Sequence, residues 1–222
     1  MKILDIPQSG KRGLNVSQSG RWGQISRIFA VPSNPRTDAQ LDIRATFAEV
    51  TKAWRALSDA QRAAWAAAAS TVMSKSRCGT SGPLTGSQLY TKLNATVALV
   101  GGDTMVAPPV PPAFDRNPVG ALAIVNDGMQ ITMKLACPNA PTTDIIVRAS
   151  APLSAGISST SAFRIIGLLS APLQGACNIT ALYVARFGVP PVGMKVFVQT
   201  NQVITGYEDM GRATHATVPP EV

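Results

Sequence analysis

The spacing of apolar residues changes character twice along the chain. Between residues 37 and 100 it has the period of an amphipathic helix, three or four residues. Thr37-Asp38-Ala39-Gln40 gives a cap-like start, and Leu41, Ala45, Ala48, Trp54 and Leu57, with Phe47 and Val50, trace a broad stripe that predicts a helix to Leu57. Ser58 with Gln61 spells a capping box, in which the serine hydroxyl accepts a free backbone N–H and the side chain three residues on reaches back. It opens a second helix, from Asp59 to about Met73, nearly all alanine around Trp65. Alanine favours the helix and lets a neighbour approach closely. Gly79, Gly82 and Pro83 break that run. A third helix, from about Thr85 to Val100, sets Leu89, Leu93, Thr96 and Val97 in a stripe beside Tyr90 until Gly101-Gly102 ends it. Trp54, Trp65 and Tyr90 are the expected core of a three-helix unit.

Beyond residue 112 the period drops towards two. Ala121–Val125 leads through the turn signal Asn126-Asp127-Gly128 into Met129–Leu135, where apolar and polar residues alternate. Further strand-like runs are Asp144–Ser150, Ala162–Leu169, Asn178–Phe187 and Lys195–Asn201, with a last one at His215–Val218. Pro138, Pro141, Pro152, Pro172 and Pro190-Pro191 fall between them, where a missing N–H does little harm. Short strands at this density predict an antiparallel sandwich.

The first 36 residues follow neither period. Gln8-Ser9-Gly10-Lys11-Arg12-Gly13 recurs in near copy as Gln18-Ser19-Gly20-Arg21-Trp22-Gly23, and this glycine density, with Pro7, Pro32 and Pro35, argues against regular structure. Alone, such a segment is expected to be unfolded. Ala107-Pro108-Pro109-Val110-Pro111-Pro112-Ala113 reads as a stiff connector. The expected organisation is α+β and multidomain: an extended basic arm over 1–36, a small three-helix domain over 37–106, a proline-rich linker over 107–112, and an antiparallel β-sandwich over 113–222.

Charge sharpens this division. The net charge is +8, and residues 1–40 hold six basic and two acidic side chains, 41–100 seven and three, and 101–222 seven and seven. The whole excess lies in the first hundred residues, which suits attraction to a polyanion or an acidic partner. Lys11, Arg12, Arg21, Trp22, Arg27 and Arg36 are the candidate contacts of the arm, with neighbouring subunits or a polyanion; Arg44, Lys52, Arg55 and Arg62 are further candidates for a polyanion.

Candidate chemistry is sparse. Cys78, Cys137 and Cys177 have no metal-ligand spacing, and Cys137 and Cys177 could be bridged across strands or remain two buried thiols. His215 is the one histidine, so no zinc cluster is expected. Asp127, Asp144 and the pair Glu208-Asp209 sit beside turns and read as solvated acids. Neither a Walker loop nor a dinucleotide glycine fingerprint occurs. We therefore expect no catalytic, cofactor-binding or metal-binding residues and read the chain as non-enzymatic. The start, MKILDIPQSGKRG, has too short an apolar run for a signal peptide, and no stretch is long and apolar enough to span a membrane, so a reducing compartment is expected.

Two segments carry resemblances. The string from Phe47 through Trp54, Leu57-Ser58, Arg62 and Trp65 to Ala69 resembles the second helix and following turn of an HMG box, a family whose L-shaped three-helix fold bends DNA through the minor groove. That resemblance implies an architectural DNA-binding role as the alternative reading. Tyr183–Phe187, the preceding Asn178-Ile179-Thr180-Ala181 and the closing Gly193–Gln199 resemble the paired late strands of fibronectin type III or immunoglobulin-like modules, which serve as spacers or docking surfaces. Basic arm, helical unit and sandwich together look like small bacteriophage virion proteins, capsid-associated or tail-associated. This likeness implies a self-assembling homo-oligomer that joins other structural proteins in the virion after assembly in the host cytoplasm, with at most weak, non-specific nucleic-acid contact. A cellular or extracellular filament or surface-layer subunit is a further alternative.

Overall fold

A computed structural model describes residues 8–20, 23–74, 82–137, 143–169 and 175–221. The chain is mixed α and β, with four helices and several antiparallel sheets among the described residues. Backbone contacts part it into two compact units between Thr91 and Lys92.

The first unit begins with a three-stranded meander, β1 (Gly10–Arg12), β2 (Asn15–Gly20) and β3 (Gly23–Ile28), paired antiparallel in chain order. This corrects the expected irregular arm. The glycines sit at the turns rather than breaking the strands: Gly13, at φ +59°, opens the two-residue loop that joins Arg12 to its partner Asn15, and Gly20 pairs with Gly23 across the second turn.

Helix α1 (Asp38–Ala56) starts after Thr37, whose side chain makes no capping bond. Helix α2 (Asp59–Ala69) starts on the complete capping box: the Gln61 N–H donates to Ser58 Oγ at 3.3 Å, and the Ser58 N–H to Gln61 Oε1 at 2.8 Å. The same device opens α3 (Gly86–Leu99) through Thr85 and Gln88, a box not read from the sequence. The alanine face of α2 works as expected. A Cβ on Gly86 would stand 2.8 Å from the Ala66 nitrogen, so the start of α3 meets the backbone of α2 with no side chain between. Tyr90 is buried between the two tryptophans, its ring centroid 5.1 Å from each. Trp65 is fully buried, whereas Trp54 is only half-buried.

In the second unit α3 ends as expected, with Gly101 at φ +77° and the Gly102 N–H donating to the Val97 carbonyl. One sheet pairs β4 (Leu122–Asn126), β5 (Ile131–Cys137) and β8 (Gly175–Asn178) in that order. The other runs β10 (Tyr207–Glu208), β9 (Lys195–Ile204), β6 (Asp144–Ala149) and β7 (Arg164–Leu169), with β11 (Arg212–Thr217) also on β9. One core takes side chains from both: Leu122, Met133 and Leu135 from the first, Ile145, Val147 and Val198 from the second.

The run Asn178–Phe187, expected as a strand, is not one. Pairing with β5 stops where the Ile179 N–H donates to the Met133 carbonyl, and α4 (Thr180–Phe187) follows. Asn178 Oδ1 accepts from the Thr180 N–H, and Ile179, Tyr183 and Phe187, four residues apart, all turn to the core. That spacing selects the helix. Gly167 of β7 makes room for it, since a Cβ there would stand 2.8 Å from the Leu182 side chain.

Candidate interaction surface

The meander has no core of its own. Every residue of β1 is exposed, as is every residue of β3 except Gln24, and Leu14, Ile28 and Val31 lie open to solvent. Directly opposed residues of an antiparallel pair share a face. One face therefore carries the row Lys11, Val16, Arg27, and the other carries Arg12, Asn15, Ile28. Lys11 Nζ sits 3.8 Å over the Phe29 ring, and the Arg12 guanidinium donates to Gln8 Oε1. From Gln8 to Thr37 the sequence has five basic residues and no acidic one. Nothing within that stretch can neutralise it.

Helix α1 carries exposed apolar residues of its own. Ile43, Phe47, Val50, Trp54 and Leu57 follow one another at intervals of four and three, which keeps them on one face. The far end of this stripe is covered, with Val50 and Leu57 buried. Its near end is bare: Ile43 is 58% and Phe47 51% exposed, and Leu41 is exposed as well. The stripe is therefore covered only from Val50 onward. On the opposite side of the helix, Arg44, Lys52 and Arg55 share a second stripe. Arg44 donates to Asn34 Oδ1 at 2.8 Å, tying the connector to the helix, and Arg36 stands in that connector at φ +51°.

The structure thus places Lys11 and Arg27 on one face of the meander, and Arg44, Lys52 and Arg55 along one helix. Arg12 faces away from Lys11 and Arg27. Arg62 is engaged within the fold, 3.1 Å from Asp59 and donating to the Arg55 carbonyl. Arg21 and Trp22 lie outside the described residues, as does Cys78. Missing from the sequence-based set are the exposed apolar side chains Leu14, Ile28, Ile43 and Phe47. The four-three spacing from Ile43 to Leu57 was the available signal for the last two.

The adjacent acids Glu208 and Asp209 are both engaged by neighbouring groups. Glu208 accepts from Arg148 at 2.7 Å. Asp209 accepts from the N–H groups of Gln202 and Gly211 and from Asn117 Nδ2. They hold the 208–212 turn and the segment around Asn117 to β9. Asp209 thereby departs from its expected solvation, whereas Glu208 is exposed. The neighbouring cleft, about 540 Å³, is lined by Phe114, Arg116, Met210 and these engaged side chains. His215 stacks on Phe197 at 5.1 Å. Among the described residues no three His, Cys, Asp or Glu converge as metal ligands, and no helix is long and apolar enough to cross a membrane.

No protein-family model matches the chain, and no curated protein matches it.

Proposed function

We propose that the protein is a non-enzymatic structural subunit of a large assembly, a phage virion component in its most concrete form, and that its N-terminal 36 residues bind neighbouring subunits. The observation that carries this reading is the bare surface of the first unit. A three-stranded sheet needs an apolar face packed on something to be stable in water, and the meander packs none. In the same unit, half of an amphipathic helix presents Ile43 and Phe47 uncovered. Surfaces of this kind mark sites of protein association. The second unit, read as a β-sandwich of the immunoglobulin-like or fibronectin-like class, supplies a rigid body that the arm can link to others.

The test is removal of residues 2–30 from the full chain, with sedimentation and light scattering as readouts. Loss of assembly with both units still folded supports the proposal; assembly at unchanged concentration and stability overturns it.

The acid-free basic stretch favours a second reading, an architectural DNA-binding protein. A titration with duplex DNA across salt separates the two, because each phosphate neutralised contributes a log–log slope of about −0.9. Tight binding at physiological salt by a protein that stays monomeric selects the DNA reading. Particles that survive nuclease select the assembly.

A further inference from the structure

We propose that Cys137 and Cys177 form a dithiol that closes to an intramolecular disulfide when a small-molecule disulfide of the glutathione class reaches it. The two residues lie on adjacent strands. Cys177 is opposite Leu135, and Cys137 is opposite Gly175, so the cysteines are diagonal neighbours on one face of the sheet. Gly175 puts no side chain between them. Their sulfurs stand 3.2 Å apart, in a thiol–thiol hydrogen bond donated by Cys177, and both residues are free thiols buried in the core. A disulfide needs about 2.05 Å. Closing the remaining gap calls for a small shift of β8, a four-residue edge strand whose Gly175 and Ala176 are already exposed.

The same burial that places the sulfurs together slows the reaction. Burial, with the neighbouring Cys177 sulfur adding to it, pushes the Cys137 thiol up to about 12, and only thiolates attack disulfides. Reaction therefore proceeds through opening of β8. The Cys177 thiolate, from the less buried of the two, attacks one sulfur of R–S–S–R and expels R–S⁻. Cys137 then gives its proton to solvent, and its sulfur attacks Cys177 Sγ, expelling the second R–S⁻. The two cysteines lose two electrons, R–S–S–R gains them, and two R–SH leave. The bond clips β8 to β5 and closes a loop between residues 40 apart.

The test uses the full chain carrying Cys78→Ser, so that only this pair can react. After incubation with oxidised glutathione, the protein is denatured and treated with iodoacetamide. The expected product is a monomer lighter by two hydrogens, with no alkylated cysteine, a melting temperature higher by several degrees, and full reversal by dithiothreitol. Its formation accelerates about tenfold per pH unit below the thiol pKa and accelerates again in sub-denaturing urea. Two alkylatable thiols after prolonged exposure with and without urea would overturn the proposal. So would a persistent mixed disulfide with glutathione, or a cross-link that forms only between chains. Cys177→Ser removes the rise in melting temperature; should that variant not fold, the mass measurement alone decides.

Discussion

Gly206 rests against the backbone of Leu93 so closely that a methyl group on its Cα would stand 2.5 Å from the Leu93 carbonyl oxygen. Gly206 closes the β9–β10 turn at φ +80°, after Thr205 at φ +46°. Two consecutive left-handed residues are the demand of a type I′ hairpin, which asparagine or glycine meets and a β-branched residue does not. Gly206→Ala adds both the conformational penalty and the backbone collision, and should cost at least about 2 kcal/mol. Thr205→Asn should be neutral or stabilising. Urea denaturation followed by circular dichroism measures both.

The aromatic trio is asymmetric. Trp54 and Trp65 lie equally far from Tyr90, but only Trp65 is fully buried. Trp65→Ala should destabilise by about 3–5 kcal/mol, the usual range for a large aromatic in a core. Trp54→Ala should cost less, because part of its surface is already in water. Equal losses in thermal or urea melts would contradict this arrangement.

Tyr183 makes the second unit sensitive to alkali. Burial pushes its hydroxyl up to about 12, from an ordinary value of 10. The folded state therefore holds the proton over a range in which the unfolded chain has lost it. The corresponding stability is complete below pH 10 and disappears as the pH rises through 12, by an amount on the order of 3 kcal/mol. Burial raises Tyr90 and Tyr207 in the same direction. Tyr183→Phe forgoes the hydrogen bond that the hydroxyl donates to the Ser150 carbonyl, at about 1 kcal/mol near neutrality. It should flatten the alkaline fall, which melting temperatures taken across pH 8–12 report.

Asp209 is a structural acceptor. Replacing it with alanine strands the Gln202 and Gly211 N–H groups and one partner of the buried Asn117 amide, at roughly 2–3 kcal/mol. Asp209→Asn keeps the shape with one acceptor fewer and should lose less. Limited proteolysis should cut the 208–212 turn sooner in Asp209→Ala than in the parent.

The first three helices were legible in the sequence because two independent signals agreed in each, a three-to-four-residue apolar period and a break or cap at the end. The Ser58–Gln61 box is formed by the atoms that the pattern names. The meander was illegible for a physical reason. Glycine marks a turn as readily as it breaks a strand, and β1–β3 bury too little for an alternating pattern to exist. Asn178–Phe187 was ambiguous because seven of its ten residues are apolar; only the four-residue step from Ile179 to Tyr183 to Phe187 separates helix from strand. For the candidate surface, periodicity told which side of α1 Ile43 and Phe47 occupy. Whether anything covers that side is a tertiary fact, and no local pattern encodes it. The convergence of Cys137 on Cys177 likewise depends on the β5–β8 register, which a forty-residue separation does not reveal.

The half-covered stripe of α1 has a thermodynamic consequence. Forming an isolated helical turn is unfavourable, because several dihedrals are fixed for a single hydrogen bond, while extending an existing helix is not. Here Val50 and Leu57 anchor the far end, so the nucleus is already present for the encounter we propose at Ile43 and Phe47. Those two side chains are held in helical register before any encounter, and association loses correspondingly little backbone entropy. The bare end of α1 is in this sense a pre-organised ligand: its exposed apolar surface costs the isolated subunit solubility, and its rigidity favours the bound state.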